Sequence, residues 1–230
     1  MSDSIYKSKI SDEIKHFKNI DPDLYDSWMD YHNTVFQDGA LSRKTKELTA
    51  VALAHITTCP YCIRGRVLNS KKQGATDNEV VEAIYVGMRF AMGAPYAYSS
   101  IAFEAADALD NNVPLTEGHF FKKDISHEIG HFRQTSGNIS KKFADLTKNI
   151  FADGALSKSI KRGVIGLACA HLTKCPYCIR GCVKDAKTDG ITEQQMAEAI
   201  NVAMTMAAGS CYAHSSIAME ALSKYSEKAA

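Results

Sequence analysis

Cys59-Pro60-Tyr61-Cys62-Ile63-Arg64-Gly65 returns unchanged as Cys175-Pro176-Tyr177-Cys178-Ile179-Arg180-Gly181. Sliding the chain by 116 residues brings further segments together. Ala54-His55 falls on Ala170-His171, Glu82-Ala83-Ile84 on Glu198-Ala199-Ile200, and 96–104 on 212–220. Upstream, Asp38-Gly39-Ala40-Leu41-Ser42 matches Asp153-Gly154-Ala155-Leu156-Ser157 with a shift of one residue. A period near 116 residues is the size of a small domain and too long for a solenoid repeat. The chain is therefore an internal duplication, and duplicated units usually pack about a pseudo-twofold axis.

Composition sets the class. The chain has 230 residues, 45% of them hydrophobic, enough for one or two buried cores. A net charge of +1 gives no argument for nucleic acid or an anionic membrane as partner. No apolar run reaches spanning length, and the polar start Met1-Ser2-Asp3-Ser4 lacks a secretory pattern, so a cytoplasmic protein is expected. Seven cysteines, an odd number, suit redox or metal roles better than a disulfide framework. No phosphate loop and no flavin or nicotinamide fingerprint is present, so no cofactor is expected.

The periodicity is helical throughout. Thr76-Asp77-Asn78-Glu79 is a capping box, repeated as Thr192-Glu193-Gln194-Gln195. Val80, Ala83, Ile84, Met88 and Ala91 follow at helical spacing, mirrored by Met196, Ala199, Ile200, Met204 and Ala207. Gly93 and Gly209 are expected to break the chain before a last helix. Ser42 and Ser157 are expected to cap the helices that precede the motifs, and Asp21-Pro22 to open an earlier one. This predicts an all-α protein of two tandem homologous domains, 1–112 and 113–230, with a linker at 111–117 around Pro114. Cys169 and Cys211 read as small core residues.

The motif has a physical logic. Proline directly after the first cysteine suits the first helical position, which puts Cys59 and Cys175 at N-caps and Cys62 and Cys178 in the first turn. Unpaired amides and the helix dipole favour a thiolate there. Three-residue spacing lets one sulfur resolve what the other attacks. Metal binding remains the alternative, above all in the second repeat, where His171, Cys175, Cys178 and Cys182 follow helical spacing. His55 and His171 lie four residues before each motif, placed either to face the thiols or to cap the preceding helix. His214 replaces Tyr98 and reads as a surface or core residue.

The order of a Lys-Glu-Leu helix, Cys-Pro-Tyr-Cys at the next helix start, Glu-Ala-Ile and a small-residue helix resembles the carboxymuconolactone decarboxylase-like superfamily. Within it the chain resembles the alkylhydroperoxidase D branch over 20–110 and 138–226. That branch carries a glutamate twelve residues before Cys-x-x-Cys and a histidine four residues after its second cysteine. The resemblance implies an all-helical fold, assembly as trimers or hexamers, and a thiol redox activity. Glu47, Cys59 and Cys62 match the acid, resolving and peroxidatic positions, while Arg66 stands at the histidine position. In the second repeat Cys175 and Cys178 match, but Gly163, beside Arg162, replaces the acid and Cys182 the histidine.

The resemblance thus implies a thiol-dependent peroxidase or disulfide oxidoreductase with an antioxidant role, acting on a peroxide or disulfide and drawing electrons from an external thiol donor. Its site is expected at Cys59, Cys62, Glu47, Arg66, His55, Cys175 and Cys178. The first repeat is expected to be the more reactive, with Arg66 steadying the Cys62 thiolate. Three duplicated chains would form a homotrimer as a pseudo-hexamer. A non-catalytic redox sensor or metal-binding scaffold is the competing expectation.

Overall fold

The computed structural model describes residues 6–110 and 122–229, with side chains to residue 225. The linker expected at 111–117 lies outside the described residues. The first repeat contains α1 (Ser11–Ile20), α2 (Pro22–Val35), α3 (Arg43–Ile56), α4 (Pro60–Lys72) and α5 (Asp77–Asp110). The second contains α6 (Ser126–Ser136), α7 (Asn138–Ile150), a π-helical turn (Ile160–Ile165) that runs into α8 (Gly166–Leu172), α9 (Pro176–Thr188) and α10 (Glu193–Ala229). The described residues contain no strand, and none of their helices is long and apolar enough to cross a membrane.

Local signals place these helices. Thr76 and Glu79 exchange reciprocal bonds of 2.7 and 3.1 Å at the start of α5, and Thr192 and Gln195 do the same for α10. Ser42 Oγ accepts from Thr45 N at α3, and Ser157 Oγ from Ile160 N at the π turn. Asp21 accepts from Leu24 N, and Pro22 opens α2.

The two repeats share one core. Leu48, Val51, Leu53, Val86 and Phe90 of the first cluster with Val164, Ile165, Leu167, Val202 and Met206 of the second. Each such side chain contributes roughly 1.5–3 kcal/mol on burial. At the edge of this core the repeats clasp each other. Glu82 accepts from the backbone N–H groups of Ala155 and Leu156 and pairs with Lys161. Glu198 does the same with Ala40, Leu41 and Lys46. A Cβ on Gly39 or Gly154 would strike the carboxylate that arrives there. The duplicated Glu-Ala-Ile and Asp-Gly-Ala-Leu-Ser segments are the two halves of this clasp.

Three expectations are corrected. Gly93 and Gly209 do not end helices, because α5 and α10 run straight through them. Gly93 instead lies beside Cys178 of the other repeat, whose Sγ is 3.5 Å from where a Cβ on Gly93 would stand. Second, the buried stripe of α5 is Val80, Ala83, Val86, Gly87 and Phe90, so Met88 and Ala91 face outward. Met204 and Ala207 do likewise, while Val202, Ala203 and Met206 turn inward. Third, Cys169 is buried as expected, but Cys211 is exposed.

Candidate functional site

Both motifs fold as their prolines dictate. Cys59 is the N-cap of α4 and Cys175 of α9, with nearly equal backbone angles (φ −90°, ψ 106° and φ −98°, ψ 104°). Each first-cysteine sulfur accepts from the N–H of the second cysteine, at 3.2 Å in Cys59 and 3.3 Å in Cys175. The preceding residues, Thr58 and Lys174, take positive φ values of 53° and 54°. That left-handed step turns the chain from α3 or α8 into the next helix, and is costly for side chains other than glycine.

The pairs differ in how their sulfurs meet. Cys59 and Cys62 form a disulfide with Cα atoms 5.2 Å apart, and Cys175 and Cys178 are free thiols. The reduced pair is strongly polarised. The Cys178 thiol donates to Cys175 and brings it down to about 7. The N–H groups of Cys178 and Tyr177 assist, as does the nearby Arg89 guanidinium. Cys178 is pushed up, first because it donates that bond and then by its burial. The pair therefore holds one proton between its two sulfurs and titrates as a unit.

Each pair is walled by the other repeat. Cys62 Sγ lies 4.0 Å from the carbonyl oxygen of Gly209 on α10. Cys178 faces Gly93 on α5, in a cavity of about 210 Å³ lined also by Arg89, Tyr96, Arg162 and Cys182. Neither repeat forms its site alone.

Behind Cys62, one turn along α4, Arg66 donates to Glu47 at 3.2 Å and to His32 Nε2 at 2.6 Å. Its guanidinium stacks 3.9 Å over the Phe36 ring. The cation expected to steady the Cys62 thiolate is thus held by Glu47 and His32. Burial pushes the Glu47 carboxyl up, and Arg66 offsets this only in part. Burial, aided by Arg66, pushes His32 down. A neutral His32 that accepts at Nε2 carries its proton on Nδ1, 3.2 Å from Asn33 Oδ1. His55 turns Nδ1 to the Val51 carbonyl of its own helix at 2.8 Å, and His171 to that of Leu167. His214 bonds Ser210 O and packs on Tyr61.

The second repeat has rebuilt this region. Matching Lys46 to Lys161 needs a shift of 115 residues, and matching Leu48 to Val164 needs 116. One extra residue therefore sits at the acid position, and the π-helical turn Ile160–Ile165 absorbs it. Arg162 enters there, bonds Asp185, and stacks 4.6 Å over Phe151, the counterpart of Phe36. The carboxylate and the guanidinium have exchanged helices. Gly163 leaves no room for an acid, since a Cβ would meet Ile191 at 2.9 Å and Ala186 at 3.2 Å. Cys182 is buried and pushed up to about 12, chiefly by that burial. Among the described residues, no group of three or more His, Cys, Asp or Glu is placed to hold a metal ion.

Sequence reasoning missed His32, Asp185 and Arg89. Arg89 stands where the second repeat has Thr205, an unpaired difference on otherwise similar helices.

The profile of the carboxymuconolactone decarboxylase family matches residues 22–110 and again residues 138–221. The chain belongs to the carboxymuconolactone decarboxylase family. A Paracoccus denitrificans protein described as "Uncharacterized protein 4 in cox locus" is 42% identical over 85 residues, covering 37% of this chain and 77% of that protein. The double match makes this a tandem, all-helical member of the family.

Proposed function

We propose that the protein is a thiol-dependent oxidoreductase that reduces an organic hydroperoxide or a disulfide, with an external dithiol as electron donor and an antioxidant role in the cytoplasm. The observation that carries this reading is the Cys175–Cys178 thiol pair, which sits at a helix N-terminus near Arg89 and borders a cavity. The oxidised Cys59–Cys62 pair has nearly the same N-cap backbone. Dithiol and disulfide therefore fit one scaffold, and cycling needs little main-chain motion.

With a hydroperoxide, Cys178 passes its proton to the Cys175 thiolate and becomes the nucleophile. Cys175 thus acts as the base that the missing acid and histidine would have been. The Cys178 thiolate attacks the terminal peroxide oxygen, the O–O bond breaks, and a sulfenic acid forms. The departing alkoxide takes the proton from Cys175 and leaves as an alcohol. The Cys175 thiolate then displaces hydroxide from the sulfenic sulfur, which gives the disulfide, and the hydroxide is protonated to water. The dithiol donor restores the pair by exchange and is itself oxidised to a disulfide. Cys59 and Cys62 are proposed as a second redox pair, with Glu47 as proton acceptor.

The test is turnover of cumene hydroperoxide with dithiothreitol. Cys178→Ser should abolish it, while Cys62→Ser should keep a substantial share. Full activity in Cys178→Ser would end the reading. We also propose a homotrimer, supported by the exposed Val81, Tyr85 and Met88 on α5 and Met204 on α10. Light scattering should find a species three times the 25.2 kDa chain mass. A stable 25.2 kDa species at micromolar concentration would overturn the trimer.

A further inference from the structure

Next to the Cys178 cavity lies a larger one of about 770 Å³, with Arg89 and Tyr96 in the wall of both. Its lining carries four cations (Arg89, Arg133, Lys141 and Lys148) and no acid. None of the four has a carboxylate partner among the described residues. Arg133 donates to the Tyr96 hydroxyl at 2.5 Å. Arg89 donates to Thr147 at 2.8 Å and stacks on Phe143, yet burial pulls its pKa down. Arg89 faces the Cys175–Cys178 pair, while Arg133, Lys141 and Lys148 bring positive charge to the larger cavity that no carboxylate of its lining offsets. The rest of the lining is mostly apolar, and the Ser140 hydroxyl is buried there without a partner.

The matching positions of the first repeat carry different side chains. With the 115-residue shift, Tyr25 stands for Ser140 and Trp28 for Phe143; with the 116-residue shift, Thr205 stands for Arg89 and Tyr212 for Tyr96. Tyr25, Trp28 and Tyr212 pack against one another there, with ring centroids 6.2 and 6.0 Å from Tyr212. The lining thus differs from the matching first-repeat positions by two smaller side chains and an arginine.

We infer that this cavity binds a small apolar carboxylate, its tail against Tyr96 and Phe143 and its charge on the arginines and lysines. Its volume suits a molecule of that class. Resting on the proposed activity, the inference goes on to name the substrate of the second repeat as the hydroperoxide of such an acid.

The first experiment measures binding alone, by calorimetry on the intact protein with decanoate and decanol as probes. Decanoate should bind at least about tenfold tighter than decanol, the scale of a charge-assisted hydrogen bond. Ser140→Tyr with Phe143→Trp installs the residues that already pack in the first repeat, and should abolish binding. Arg133→Glu with Lys148→Glu changes exposed side chains only, and should weaken decanoate about tenfold or more while sparing decanol. Equal affinity for the two probes, or decanoate binding unchanged in both variants, overturns the inference. The second experiment compares the rate of Cys175–Cys178 disulfide formation by a carboxylate-bearing and a neutral hydroperoxide. If decanoate binds as expected and neither peroxide oxidises the pair, the site stands and the proposed activity falls. If both peroxides react equally while decanoate fails to bind, the activity stands and the site falls.

Discussion

The two cysteine sites start from the same seven residues and end in different surroundings. At Cys59–Cys62 the neighbouring arginine is locked in a buried network with Glu47 and His32, and Tyr25 and Trp28 pack on Tyr212 of the other repeat. At Cys175–Cys178 the ion pair has moved to Arg162 and Asp185, Arg89 comes from the opposite repeat, and the approach is open. The motif therefore specifies the helix N-terminus and the sulfur geometry, and little more. Proton handling and access belong to side chains two or three helices away.

The comparison breaks most visibly in turnover. Cys178→Ser should lower hydroperoxide reduction by about a thousandfold, near 4 kcal/mol of barrier, and Cys62→Ser by far less. Steady-state kinetics of the two variants decide which repeat leads, and a larger loss in Cys62→Ser would return that role to the first.

Stability should separate the sites next. Glu47→Ala leaves the buried Arg66 unpaired and should cost about 3 kcal/mol. Asp185→Ala breaks a pair whose side chains are 27% and 31% exposed, and should cost about 1 kcal/mol or less. Urea melts of both variants test this, and equal losses would mean that the two pairs are equivalent.

A pH profile sharpens the picture. Cys175 titrates below the usual thiol range, so its thiolate is present above about pH 7 and is lost as pH falls through that value. Alkylation of the second pair should follow a midpoint near 7. Arg89→Met removes an attraction and should raise the midpoint by about half a unit, since hydrogen bonds do most of the lowering. An unchanged midpoint would remove Arg89 from the site.

The smallest expected effect concerns Thr58, a β-branched residue at φ 53°. Thr58→Gly should stabilise by about 0.5 kcal/mol, more than Lys174→Gly, because the branched side chain suffers more there. Thermal melts of the two variants should show that order.

Much of this was legible in the sequence. Capping boxes, cysteine N-caps and helical periodicity are local properties, and each appears where its residues put it. The stripe on α5 was read correctly at Val80 and Ala83 and misjudged at Met88 and Ala91, because these fit the helical period as well as Val86 and Phe90 do. Gly93 and Gly209 were misjudged because a glycine inside a long helix looks, in sequence, like one that ends it. Arg66 was placed by its distance from Cys62 along the helix, but Glu47 and His32, far away in the chain, compete for it. Arg89 carries no local signal at all, since its thiol partner belongs to the other repeat. The change of shift from 115 to 116 was visible, and its meaning came only with the π-helical turn that takes up the extra residue.

The crossed arrangement at Gly93 and Gly209 has an evolutionary consequence. In a dimer of identical single repeats, one gene would encode both the thiols and the wall opposite them. Any change to the wall would alter both sites at once. Joining two copies in one chain removes that constraint, because each wall then has its own codons. A residue such as Arg89 can be acquired on one wall while the other keeps Thr205, and every molecule still contains one site of each kind. Gene fusion here does for two thiol centres what duplication does for two separate enzymes: it lets them specialise without losing their fixed one-to-one ratio.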